Sequence, residues 1–289
     1  MKTFWLIENM LHEEEFYTRM TAALQKRGIE YALVDFIPSE GKTQLERIMA
    51  KNTGKMFIPY GCIQFIDWYS KLKLIGVSPT VESAVFFDLK KLAFDYYSSY
   101  WGHYLLNQRN VITTYAELER RKDFFYEILG EADTIFVRPN SNDKVFTGRK
   151  FYKEEFDVEI RRMGYSIEPN FDPHMKVVVA APKNVVKEWR FAVVNKKVVT
   201  ATLYNVNGLH EEESGCTNIH ASNMADEIAN HSWQPDDVYA LDICETKSGE
   251  VAMLEIGSLN SAGWYQMDCG AIIDAMEGWR EKYEKEMRV

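Results

Sequence analysis

The chain has 289 residues, 46% hydrophobic and 27% charged, which suffices for one large or two modest domains and excludes wholesale disorder. Acidic residues outnumber basic ones by 43 to 34, a net charge of −9, so no broad electrostatic footprint for nucleic acid is expected. No apolar run approaches the roughly 18–20 residues of a membrane span, so no membrane partner is expected either.

The opening, MKTFWLIENMLHEEEF, carries four acids between Glu8 and Glu15, unlike a secretory or transit peptide. Cys62, Cys216, Cys244 and Cys269 are irregularly spaced and suggest no disulfide framework, so a cytoplasmic protein is expected. The first third reads β-α-β. Residues 3–7 form an apolar run, Phe16, Tyr17, Met20, Ala23 and Leu24 recur at helical spacing up to a stop at Gly28, and Tyr31 to Phe36 form a second run. This alternation predicts parallel strands. Residues 85–107 are dense in aromatics, which suits packing between domains better than a stacking platform. Thr114 and Glu117 fit a capping box, opening a helix that runs to Gly130. Strands are predicted over 134–138, 176–181, 187–194 and 197–204, with a helix around Phe156, Ile160 and Met163. An amphipathic terminal helix is marked by Ile272, Met276, Trp279, Tyr283 and Met287. The change of texture puts a domain boundary near residue 110.

The stretch 238–256, VYALDICETKSGEVAMLEI, has two alternating apolar runs flanking Ser248-Gly249, which reads as a two-residue hairpin turn. Pairing outward matches Lys247 with Glu250 and, in the same register, Asp242 with Glu255. Directly opposite residues share a face with Cβ atoms about 4.5–5.5 Å apart. Two carboxylates so placed repel unless a cation joins them or a proton is retained. They are either two acids on a wet sheet face or a Mg²⁺ site, since this ion binds through one or two carboxylates plus phosphates and water. If they repel, neutralising either acid leaves metal-free stability equal or higher. Arg138 ends a strand, and Lys144 sits on the polar loop that closes at Gly148. Such a loop is either plain surface or a phosphate cradle, though it has no Walker pattern. In EWRFAV, alternation puts Glu188 and Arg190 on one face and Trp189, Phe191 and Val193 on the other. Arginine there suits either a solvated ion pair or bidentate phosphate binding. His210, Cys216 and His220 lack a fourth ligand for zinc, and HEEESGCTNIH reads as a loop entering a helix. No G-x-S-x-G nucleophile elbow occurs.

Taken in order, these pieces resemble an ATP-grasp enzyme over roughly residues 110–289, with the β-α-β domain that usually precedes it. IFVRPNSNDKVFTG resembles the strand and phosphate loop of that family, MKVVVAAP the strand leading to the adenine-holding hinge, and EWRFAVV the first strand of the C-terminal subdomain. LDICETKSGEVAMLEIGSLNSAGWY resembles the acid-bearing final hairpin. Arg138, Lys144 and Arg190 together resemble the clade with two arginines and one lysine, frequent in bacteria and phages.

The resemblance implies an α/β (α+β) ATP-grasp fold. Residues 1–110 would form the preceding domain and 111–289 the ATP-grasp domain, with a hinge near 180–186. It implies an ADP-forming ligase that joins a carboxylate to an amine through an acylphosphate. The substrate would be a small molecule, peptide or protein, with ATP and Mg²⁺ as cofactors. Arg138, Lys144 and Arg190 would bind phosphates, Arg190 and Lys144 acting in catalysis, and Val179, Ala180 and Ala181 would hold adenine. Asp242 and Glu255 would hold Mg²⁺. The family commonly ends in Glu-x-Asn, whereas Glu255 is followed by Ile256 and Gly257, so the nearest candidate third ligand is Asn260. No hinge acid is present for the ribose. A non-catalytic nucleotide-binding or scaffolding protein and a nucleic-acid end-modifying enzyme are the alternatives.

Overall fold

The computed structural model describes residues 1–9, 13–36, 41–74, 82–166 and 171–287. The amino-terminal elements are β1 (Thr3–Glu8), α1 (Glu14–Lys26), β2 (Glu30–Val34), α2 (Gly41–Lys51), β3 (Met56–Tyr60) and α3 (Ile63–Leu74). Their strands pair in parallel in the order β2-β1-β3, as alternating apolar runs and amphipathic helices require. β3 was not read from the sequence because Pro59 interrupts it. Proline is tolerated there because β3 lies at the end of the strand order.

The middle of the chain supplies α4 (Phe94–Trp101), β4 (Asn110–Thr114), α5 (Tyr115–Arg120), α6 (Lys122–Leu129), β5 (Thr134–Pro139), β6 (Arg149–Tyr152), α7 (Phe156–Ser166) and β7 (Lys176–Ala180). These strands form an antiparallel sheet in the order β4-β7-β5-β6. The Thr114 hydroxyl accepts the Glu117 N–H at 3.2 Å, the expected cap. The helix predicted to run on to Gly130 is instead broken at Arg121, and nothing in the structure explains the break.

The last third forms β8 (Val185–Val194), β9 (Lys197–Val206), β10 (Leu209–Ser214), α8 (Ile219–Asn230), β11 (Val238–Thr246), β12 (Val251–Gly257) and α9 (Cys269–Met287). The sheet is antiparallel, in the order β10-β9-β8-β11-β12. The first part of the stretch 210–220, expected as a loop, belongs instead to β10, an exposed edge strand whose three glutamates discourage further pairing.

Alternation along β8 decides what the large sheet covers. Trp189, Phe191 and Val193 pack with Phe94, Tyr97, Trp101 and α8 in one core, so these aromatics of the 85–107 segment serve packing. Ala192 and Val194 belong to a second core, shared with Trp5, Trp264, Ile272 and Trp279, which joins the amino-terminal sheet and α9 to the far end of β8. The near end, carrying Glu188 and Arg190, faces a cleft against the middle sheet.

Asn260 holds the end of β3 and the segment 84–86 to the loop after β12. Its Oδ1 accepts the Phe86 N–H (2.9 Å), and its Nδ2 donates to the carbonyls of Pro59 (2.7 Å) and Ala84 (3.1 Å). Its own carbonyl accepts the Gly61 N–H at 3.0 Å. The amide oxygen expected on a metal is therefore committed to Phe86, and the assignment of Asn260 as a third ligand is corrected to that of a pin between these segments. Asn260→Ala strands three buried backbone groups and should cost on the order of 3 kcal/mol in denaturant unfolding. The folded fraction should respond to Mg²⁺ as the parent does.

Candidate active site

β11 and β12 place Asp242 directly opposite Glu255, the pairing expected from the sequence, but by another route. The turn has three residues, not two: Thr246 pairs with Glu250, and Gly249 sits at φ +83°, where a side chain would be strained. That turn alone would set Asp242 against Leu254. A bulge between Asp242 and Ile243 on one strand, and Met253 and Glu255 on the other, skips Leu254 and restores the register. Arg190 on β8 lies opposite Asp242 from the other side, so Arg190, Asp242 and Glu255 form one row across three strands.

Each acid in this row holds an arginine. The Arg190 guanidinium donates to both oxygens of Asp242, from Nε at 2.8 Å and Nη2 at 2.7 Å, and its Nη1 donates to the Gly263 carbonyl at 3.2 Å. The guanidinium carbon lies 5.1 Å from the Tyr204 ring centroid and 5.3 Å from that of Tyr265, two rings stacked 14° from parallel. From the middle sheet, Arg138 Nη2 donates to Glu255 at 2.7 Å and Nη1 to the Leu254 carbonyl at 3.2 Å. Burial alone would raise the Glu255 carboxyl, but Arg138, Lys144 and Arg190 outweigh it and hold the group below the ordinary carboxylate range.

The loop between β5 and β6 is fastened at two points. Asn140 accepts the Asp95 N–H at the start of α4 (2.9 Å), and Asn142 donates to the Ile256 carbonyl on the outer edge of β12 (2.7 Å). Between these anchors and Gly148 lies Lys144, exposed and left-handed at φ 54°. Gly148 is required because a Cβ there would sit 2.8 Å from the Phe136 ring. The cleft has a volume of about 810 Å³, within the size range of small-molecule sites. Leu106, Phe136, Val185 and Leu254 give it an apolar wall suited to a flat base, and Arg138, Lys144, Lys150, Lys183 and Lys247 bring positive charge.

The structure thus brings together Arg138, Lys144, Arg190, Asp242 and Glu255, while Asn260 lies elsewhere. Val179, Ala180 and Ala181 also miss the cleft. They are buried, and β7 is hydrogen-bonded on both sides, with Val179 paired to Val111 and Val137 and Ala180 to Asn110 and Phe136. The cleft wall falls later, at residues 183–186.

Glu188, Tyr204 and Asn142 went unrecognised as site residues. The Tyr204 hydroxyl lies 2.7 Å from Glu188 Oε2 and 3.3 Å from Asp242 Oδ2. Alternation with Arg190 was the available signal for Glu188; nothing in the sequence ties Tyr204 or Asn142 to the acids.

Among the described residues no group of three or more His, Cys, Asp or Glu forms a metal cage. Two facing carboxylates fit Mg²⁺, which completes its shell with phosphate and water. Both oxygens of Asp242 bond to Arg190 and Oδ2 also accepts from Tyr204, yet Oδ1 keeps a second lone pair for a metal.

Two measurements follow from this electrostatic arrangement. Asp242→Asn leaves the buried Arg190 charge without its partner and should cost about 3–5 kcal/mol, reversing the expectation from carboxylate repulsion. Burial first, then Asp242 and Glu255, pushes the Glu188 carboxyl above 4.5, against the Tyr204 hydrogen bond. A raised folded-state value favours folding of the protonated form, so ionisation costs stability as pH rises through that value. Glu188→Gln should therefore raise the melting temperature near neutral pH and leave it unchanged below pH 4.5.

The family model described as "ATP-grasp domain, R2K clade family 2" matches residues 106–275. No curated protein is significantly similar in sequence. Among solved structures, D-cycloserine synthetase DcsG superposes with a TM-score of 0.62 at 10% identity, over 95% of this chain and 98% of that one. D-alanine–D-alanine ligase from Bacillus anthracis complexed with ATP gives 0.60 at 12% identity, over 99% and 100%. The ATP-grasp ligase PsnB complexed with minimal precursor gives 0.55 at 13%, over 96% and 99%. At these identities the likeness is one of fold, and the family match covers more than half of the chain: the protein belongs to the ATP-grasp superfamily, R2K clade family 2.

Proposed function

We propose that the protein is an ATP-dependent, ADP-forming ligase that joins a carboxylate to an amine. The observation that carries this reading is the convergence of Arg138, Lys144, Arg190, Asp242 and Glu255 where the cleft narrows between two sheets. The base of ATP would lie against Leu106, Phe136, Val185 and Leu254, with the polar groups of 183–186 at its edge and Glu188 available to the ribose. The triphosphate would then run toward Arg138 and Lys144. Mg²⁺ held by Asp242 and Glu255 would neutralise phosphate charge when bound. Family membership supports the use of ATP, and solved complexes of PsnB contain Mg and ADP.

The protein's own contribution is positioning and charge neutralisation. Arg138 and Lys144 hold the phosphates in line with the attacking carboxylate. Attack at the γ-phosphorus forms the acylphosphate and releases ADP, and an amine then displaces phosphate to leave an amide. Arg190, fixed by Asp242 and the two tyrosine rings, faces the transferring phosphoryl group. The carboxylate partner is a small molecule, peptide or protein. No described helix is long and apolar enough to cross a membrane, and the cytoplasm, which supplies ATP and Mg²⁺, is the proposed location.

ATP with Mg²⁺ at 100 times its Kd should stabilise the fold by about 2.7 kcal/mol. Incubation with mixed carboxylates and amines should yield ADP and phosphate, and hydroxylamine should trap the intermediate as a hydroxamate. Lys144→Ala should slow turnover by about 10²–10³ without loss of stability. AMP and pyrophosphate as products would overturn the mechanism in favour of nucleic-acid end modification, and tight ATP binding without turnover would favour a non-catalytic role.

A further inference from the structure

A small polar cavity beside the main cleft is lined by Asp242, Glu255, Asn142, Lys144, Arg190 and Gly257, among others. Glu255 and Gly257 are two residues apart on β12 and so share a face, with Gly257 opposite Ala240 and Glu255 opposite Asp242. A third oxygen donor for an ion held by the two acids would most simply come from position 257, which has no side chain. Among the described residues other than its chain neighbours, the only atom within 4 Å of a Cβ built there is Asn142 Oδ1, at 3.7 Å. Asn142 reaches this place from the β5–β6 loop and is 6% exposed.

The orientation of its amide is determined by its neighbour. The Ile256 carbonyl accepts a hydrogen bond from Asn142 at 2.7 Å, so the amide nitrogen faces that carbonyl and Oδ1 is turned toward Gly257. Asn142 Oδ1 accepts no hydrogen bond from the described residues. This oxygen borders the small cavity that Asp242 and Glu255 also line, where a cation or a water can meet it.

We propose that Asn142 Oδ1 is the third protein ligand of the Mg²⁺ held by Asp242 and Glu255, supplied across the cleft in place of a side chain at position 257. This rests on the ATP and Mg²⁺ reading above. It also links the phosphate loop to the metal, because the residue that anchors the loop to β12 is itself a ligand.

The test is calorimetric titration of Mg²⁺ into the protein saturated with a non-hydrolysable ATP analogue, with Mn²⁺ as a paramagnetic probe. Asn142→Ala should weaken metal binding about tenfold or more, well beyond any loss of metal-free analogue affinity from the loosened loop. Position 257 has a φ open to side chains and room for a Cβ, so Gly257→Asn in the Asn142→Ala background should restore metal affinity. In the wild-type protein, Mn²⁺ should broaden the Asn142 side-chain amide resonance more than those of Asn140 and Asn260. Wild-type metal affinity in Asn142→Ala, or equal broadening of the three amides, would overturn the proposal alone. No metal binding by the wild-type protein with the analogue present would overturn the ATP and Mg²⁺ reading and this proposal with it. Should Asn142→Ala fail to fold, metal binding by the double variant supports the assignment and its absence overturns it.

Discussion

The site depends on neutralising two carboxylates on neighbouring strands inside a protein. Asp242 and Glu255 face each other across β11 and β12, and each is met by an arginine from a different element. Arg190 comes from the same sheet and Arg138 from the middle sheet, so the pair Arg138–Glu255 also fastens the two halves of the cleft. Burying such charges is costly unless every partner is supplied. The surrounding contacts help to meet that demand, with the Gly263 and Leu254 carbonyls each taking a further arginine donor and two tyrosine rings flanking Arg190.

The same cluster explains how the acid pair persists inside the fold. The arginines occupy the place of positive charge, and the phosphates of ATP are a natural alternative partner for guanidinium groups. The outer edge of β12 takes part as well. Its carbonyls at Met253, Leu254 and Ile256 accept from Leu106, Arg138 and Asn142, so the free edge of the large sheet is the seam along which the β5–β6 loop and the acids are aligned.

Much of this arrangement was legible in the sequence, though not always for the right reason. Strand alternation placed Glu188 and Arg190 on one face, and the resemblance through IFVRPNSNDKVFTG and the acid hairpin led to the five converging side chains. The opposition of Asp242 and Glu255 was inferred from a two-residue turn, whereas a three-residue turn and a bulge at Leu254 combine to give it. Hairpin patterning reports which residues alternate but does not reveal a bulge that skips one. Asn260 was misread because nearness in sequence to Glu255 stood in for nearness in space. Its amide answers backbone groups near residues 59, 84 and 86, which no local pattern connects to it. Val179 and Ala180 lie in a strand paired on both sides, which leaves no backbone groups for a base, and Ala181 is buried just beyond it.

The most direct measurement of the central claim is a crystal structure with Mg²⁺ and a non-hydrolysable ATP analogue. The account predicts the base between the two sheets against Leu106 and Val185, the triphosphate on Arg138 and Lys144, and a metal ion between Asp242 and Glu255. A nucleotide bound elsewhere, with Arg138 and Arg190 still paired to the two acids and no metal between them, would contradict it.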